Sequence, residues 1–122
     1  MVRLVAGAIA LLIAAISPIQ GALADGAFAV NKQVTPYAYG LITNAKTKAV
    51  ADKKALAKCG GGACQILTSF ANQCVAGAKG TNGYGFAQKS TLSAAKASAI
   101  LDCKKNTKNC KIAVSGCDGR AK

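Results

Sequence analysis

Residues 84–117 read YGFAQKSTLSAAKASAILDCKKNTKNCKIAVSGC, and residues 39–74 read YGLITNAKTKAVADKKALAKCGGGACQILTSFANQC. The two stretches are one pattern written twice. Each opens on Tyr-Gly and an apolar residue, Tyr39-Gly40-Leu41 and Tyr84-Gly85-Phe86. Each continues through an Ala-rich segment to a Cys, then a second Cys, a short apolar run and a third Cys. Such self-similarity marks a repeated supersecondary unit.

The Ala-rich segments align without a gap: Ala51, Ala55, Leu56 and Cys59 answer to Ala95, Ala99, Ile100 and Cys103. The spacing i, i+4, i+5, i+8 is one stripe of a helix. Alanine at its centre points to a helix lying close on a sheet. Thr47 is placed to cap the first helix, and Ser90 or Thr91 the second. Gly60-Gly61-Gly62 ends the first helix and the segment Asn106 to Asn109 ends the second. Tyr37 to Thr43, Gln65 to Phe70, Tyr84 to Gln88 and Lys111 to Ser115 read as strands, being short and rich in apolar or β-branched residues. Gly77 to Gly83 reads as the loop between copies. The expectation is an α+β fold, a small disulfide-stapled domain with a duplicated β-α-β unit. A four-stranded sheet would carry two helices on one face.

Upstream, Arg3 precedes an uninterrupted run of apolar residues and glycine from Leu4 to Ile16, and Ala22-Leu23-Ala24 offers a small-x-small cleavage site before Asp25. This is the pattern of a secretory signal peptide. Thirteen helical residues span only about 20 Å, short of the roughly 30 Å hydrocarbon core, so a membrane anchor is disfavoured. The expected division is a signal peptide over 1–24, an N-terminal extension over 25–36, the duplicated domain over 37–117 and a tail over 118–122. No transmembrane segment is expected after cleavage.

All six cysteines, Cys59, Cys64, Cys74, Cys103, Cys110 and Cys117, lie beyond that site. An even count in a short exported chain implies disulfides. The chain has no His, and its Cys spacings are not those of zinc knuckles, so no metal is expected. Six cysteines allow fifteen pairings. The repeat favours Cys59 with Cys64 and Cys103 with Cys110, leaving Cys74 for Cys117. Chain entropy assigns about 2 kcal/mol to each short loop and about 4 to the long one. A split βαβ sheet, however, sets the ends carrying Cys74 and Cys117 at opposite edges, so that either this pairing or this strand order must give way.

The doubled pattern, above all Ala55-Leu56-Ala57-Lys58-Cys59-Gly60 and Tyr84-Gly85-Phe86-Ala87, resembles domain-of-unknown-function family 4189, a family of small exported bacterial proteins. The resemblance covers roughly Tyr37 to Cys117. It implies a bacterial periplasmic or secreted protein. It implies no agreed activity and transfers no catalytic residue.

Catalysis has little to work with. The four acidic residues are all Asp, and with no His and no Glu the usual general bases are missing. Asp25, Asp52, Asp102 and Asp118 form no evident carboxylate pair. The expectation is no enzyme and no cofactor. What remains is charge: sixteen Lys and Arg against four Asp, a net +12, of which only Arg3 is lost with the leader. Two clusters concentrate it, Lys46, Lys48, Lys53, Lys54 and Lys58, and Lys104, Lys105, Lys108 and Lys111. Such patches attract polyanions. The expected partner is an acidic protein or an envelope polyanion. The alternative is a secreted effector or inhibitor that recognises one specific protein by shape. Gly83-Tyr84-Gly85-Phe86 overlaps the signature of RNA-recognition modules, whose aromatics stack bases on an open sheet. Yet Asn82 stands where that signature has a basic residue and Lys89 where it has an aromatic, so nucleic acid is disfavoured.

Overall fold

The computed structural model describes residues 25–34 and 37–122. The expected signal peptide over 1–24 lies outside them. The elements are β1 (Asp25–Asn31), β2 (Ala38–Ala45), α1 (Lys48–Cys59), β3 (Gln65–Phe70), β4 (Cys74–Lys79), β5 (Tyr84–Lys89), α2 (Leu92–Asn106) and β6 (Lys111–Cys117). Among the described residues no helix is long and apolar enough to cross a membrane.

The fold is α+β, but the single four-stranded sheet is not what forms. Two three-stranded antiparallel sheets form instead, in the orders β2-β1-β3 and β5-β4-β6. The repeating unit is therefore β-β-α-β rather than β-α-β. It starts one strand earlier than the Tyr-Gly motif suggests. Residues 25–31, expected as an extension, are the central strand of the first sheet. Cys74–Lys79, divided by the sequence between the end of one copy and a loop, is the central strand of the second. The turn between β4 and β5 is confined to residues 80–83.

These two strands escape the pattern for a physical reason. Their sequences, DGAFAVN and CVAGAK, are buried along almost their whole length. A strand covered on both faces shows a continuous apolar run without period-two alternation. Here one face meets a helix and the other meets the opposite sheet. Ala27 and Ala29 pack with Ala51, Ala55 and Cys59 of α1. Cys74, Ala76 and Ala78 pack with Ala95, Ala99 and Cys103 of α2. Phe28 and Val75 turn the other way, into a central layer with Phe70, Leu41, Phe86 and Val114. The order of layers is helix, sheet, sheet, helix, so the two helices cover opposite outer faces rather than one shared face.

The helix stripes and caps form as the spacing indicates. The Thr47 hydroxyl accepts from the Val50 N–H and the Thr91 hydroxyl from the Ala94 N–H. Gly60, at φ 119°, closes α1 in the left-handed region. The glycine of each Tyr-Gly motif lets the helix approach. A Cβ at Gly40 would overlap the Ala55 carbonyl and the Cys59 amide. At Gly85 it would overlap the corresponding Ala99 carbonyl and Cys103 amide.

Three disulfides tie the units. Cys59–Cys64 and Cys103–Cys110 each staple a helix end to the strand that follows. Cys74–Cys117 joins residues that are direct register partners on β4 and β6, with Cα atoms 4.0 Å apart. The difficulty of reaching across a split sheet disappears because both cysteines belong to the second unit. Residues 118–122, the C-terminal tail, are tied to the domain. Asp118 is fully buried and accepts from the Asn44 N–H at 2.6 Å, and the Leu92 N–H donates to the Lys122 carbonyl at 3.0 Å.

Candidate binding site at the lysine-rich end

The structure does not merge the two lysine clusters into one patch. Lys48, Lys53, Lys54 and Lys58 ride on α1, outside the first sheet, with Lys46 just ahead of the helix. Lys104, Lys105, Lys108 and Lys111 gather where α2 ends and β6 begins, outside the second sheet. All nine side chains are exposed.

Part of the first cluster is already engaged. Lys48 pairs with Asp52 at 2.7 Å, and Asp52 also accepts from the Ser69 hydroxyl at 2.7 Å. The Lys48 hydrogen bond, aided by that of Ser69, holds the Asp52 carboxyl below its ordinary pKa. The Lys58 ammonium donates to the Leu41 carbonyl at 3.3 Å.

The second cluster differs. Lys104 and Lys105 occupy the last turn of α2, where the negative end of the helix dipole favours cations. Lys108 follows in the turn and Lys111 opens β6. Lys111 stands directly opposite Lys79, the last residue of β4. Like charges in that position repel, so an anion placed between them would be stabilising. Sequence reasoning missed Lys79 because β4 itself was missed. Reading CVAGAK as a strand paired with residues 111–117 would have set the two lysines side by side.

This end is rigid. The turn 80–83 and the segment 107–110 interlock through hydrogen bonds from the Thr81 N–H to the Lys108 carbonyl at 2.9 Å and from the Asn82 N–H to the Thr107 hydroxyl at 3.0 Å. The Asn109 amide adds a bond to the Thr81 hydroxyl at 3.1 Å. Gly80 makes room, since a Cβ there would strike Thr107 and the Lys108 carbonyl. The Cys103–Cys110 disulfide spans the same turn. Among the described residues Lys48–Asp52 is the one ion pair, so these lysines have no carboxylate of their own.

A further cation, Lys32, reaches this region from the β1–β2 connection. Its ammonium lies 5.1 Å from the centroid of the Tyr84 ring, and hydrogen bonding to the Tyr84 phenol raises its pKa above the ordinary lysine value. Tyr84 also meets Tyr37 edge to face, centroids 5.4 Å apart. Phe86 points inward and stacks on Phe28 at 5.3 Å. The sheet face that an RNA-recognition module would leave open is here the interface between the two sheets.

A family model described as a domain of unknown function (DUF4189) matches residues 26–117, from the second residue of β1 to the last of β6. No curated protein and no solved structure matches the chain.

Proposed function

The chain belongs to the DUF4189 family, and from that premise we propose that it is an exported, non-enzymatic binding module that docks an acidic surface through the lysine-rich end of its second unit. The observation that carries this is the register pair Lys79–Lys111, set beside Lys104, Lys105 and Lys108 on a disulfide-stapled turn with no ion-pair partner among the described residues. Holding five like charges on a rigid end costs self-repulsion, and an anionic partner relieves it.

Export is supported by the three disulfides, which persist in oxidising compartments. The signal-like pattern over 1–24 points the same way. The non-enzymatic reading is supported by a chain with neither His nor Glu. Asp52 is already engaged by the Lys48 ammonium and the Ser69 hydroxyl of the protein itself. The expected source of the partner is the bacterial envelope or an acidic protein on it.

The test is binding to anionic lipid vesicles, an acidic polysaccharide and an acidic protein. Binding should weaken at least about tenfold between roughly 0.1 M and 1 M salt, as the Debye length falls from about 10 Å to about 3 Å. Changing Lys104, Lys105 and Lys108 to Ala should weaken it at low salt, whereas changing Lys53 and Lys54 should not. Binding that ignores both salt and these lysines overturns the proposal.

A further inference from the structure

Beside the lysine-rich end, residues of β3, β5, the 80–83 turn and α2 line a cleft of about 450 Å³. It is lined by the apolar side chains of Leu67 and Phe86 and by Tyr37 and Tyr84, whose rings meet edge to face. Asp102 and Asn106 of α2, with Asn82 of the turn, supply the polar groups. The volume is in the range of small-molecule sites, which combine an apolar lining with a few convergent polar groups.

The unused hydrogen-bonding capacity is specific. Among the described residues Asp102 accepts one bond, from the Phe86 N–H at 2.9 Å, and has no ion-pair partner, in a chain of net charge +12. A carboxylate has about four lone-pair sites, so most of its accepting capacity remains. Asn106 donates its amide to the Tyr84 and Asp102 carbonyls, both at 3.1 Å, which leaves its oxygen as an acceptor. Asn82 accepts from the Thr107 hydroxyl at 2.8 Å, which leaves its amide as a donor. The Lys32 ammonium stands at the rim, over Tyr84.

We infer that this cleft holds one uronate residue of an acidic polysaccharide. A pyranose ring offers an apolar C–H face to an aromatic ring and several hydroxyls that donate. Asp102 and Asn106 accept from those hydroxyls, with charge-assisted bonds at the carboxylate. The uronate carboxylate falls to Lys32 and to the amide of Asn82. An ammonium ligand would suit Asp102 and the tyrosines, but Lys32 and the net charge of the chain repel it. The inference rests on the lysine-rich end being a polyanion-docking surface, and it specifies the polyanion.

The chain has three tyrosines and no tryptophan, so tyrosine fluorescence reads the cleft directly. Hexamannuronate is titrated in roughly 0.15 M salt, alongside inorganic polyphosphate, cellohexaose and tetramethylammonium. The expected result is a fluorescence change with hexamannuronate and shifted NMR signals from the Phe86 amide and the Asn82 and Asn106 side chains. Tyr84→Leu, which removes the ring from the cleft, and Asp102→Asn, which keeps an acceptor for the Phe86 N–H, should each weaken hexamannuronate by about tenfold or more. They should leave polyphosphate binding unchanged. If hexamannuronate binds wild type and both variants alike, the cleft assignment falls and the lysine surface stands. If neither polyanion binds, both fall. Equal affinity for cellohexaose overturns the acidic-sugar assignment, and tetramethylammonium shifting the same signals overturns it in favour of a cation site.

Discussion

The two β-β-α-β units are alike where each sheet meets its helix and unlike where the sheets meet each other. On the outside, Gly40 and Gly85 admit their helices by the same overlap with the second alanine of an Ala-x-x-x-Ala-x-x-x-Cys stripe and its terminal Cys. On the inside, large faces small. Phe28 of β1 occupies the space beside Gly77, its counterpart on β4, where a Cβ would come within 2.8 Å of the ring. Phe70 at the end of β3 faces Gly26, while its counterpart Gly116 on β6 faces Val75. At Gly77 and Gly116 a large side chain on one copy fills the space that a glycine leaves on the other, so the copies diverge there.

The same divergence opens a cleft on one side. Lys58 and Asp102 are equivalent helix positions. Lys58 donates to the carbonyl of Leu41, whereas Asp102 accepts from the amide of Phe86, the residue equivalent to Leu41. Tyr39 and Tyr84 are likewise equivalent. Tyr39 stacks on Phe28 at 5.7 Å with its hydroxyl buried and without a hydrogen-bond partner among the described residues. Tyr84 stays half-exposed beside Lys32. One tyrosine belongs to the interior and the other to a binding surface.

The largest effect should break the seam. Phe28→Ala removes the ring that both sheets share and should cost about 3–5 kcal/mol in chemical denaturation. Leu67→Ala, at the open cleft edge, should cost clearly less.

The disulfides sharpen the comparison next. Replacing Cys74 and Cys117 together by Ala releases a loop of sequence separation 43 and should cost about 4 kcal/mol. Replacing Cys59 and Cys64, separation 5, should cost about 2. A reversed order, measured by thermal unfolding, would mean that strain or residual structure outweighs loop entropy.

The helix contact should respond equally in both units. Gly40→Ala and Gly85→Ala each force a methyl group into helix backbone and should each cost about 1–3 kcal/mol. A difference well beyond that spread would show that the outer contacts are not equivalent.

The smallest effect separates the tyrosines. Burial, with smaller contributions from Tyr84 and Tyr37, pushes the Tyr39 phenol up to about 12. A folded pKa above the unfolded value of about 10 gives stability that is present below pH 10 and lost as pH rises toward 12. Tyr39→Phe should remove that alkaline loss. Because the hydroxyl is unsatisfied, the substitution should be neutral or stabilising by up to about 1 kcal/mol near pH 7.

Much of this architecture could be read along the chain. The helix stripes, the Thr47 and Thr91 caps and the strand Gln65–Phe70 follow from local spacing and local chemistry. The two central strands could not be read so, because a strand buried on both faces loses the alternation that identifies it. Their absence turned two sheets into one. It also hid Lys79, and with it the pairing that gives the lysine-rich end its character. Lys32 and the cleft were out of reach for a different reason. Tyr37, Leu67, Tyr84 and Asp102 lie on separate segments of the chain, and only sheet packing brings them to one place.

The sequence by itself determined what short-range forces decide: a repeated unit, its helices, the cysteine staples at the helix ends and a strongly cationic chain. Periodicity and capping act within a few residues and leave their mark in order. Tertiary structure alone decided that the units stack sheet to sheet, that one large residue fills each crossing, and that one lysine cluster is set against a cleft while the other lies on the opposite layer. Those outcomes depend on volumes meeting across the core, between residues far apart in the chain.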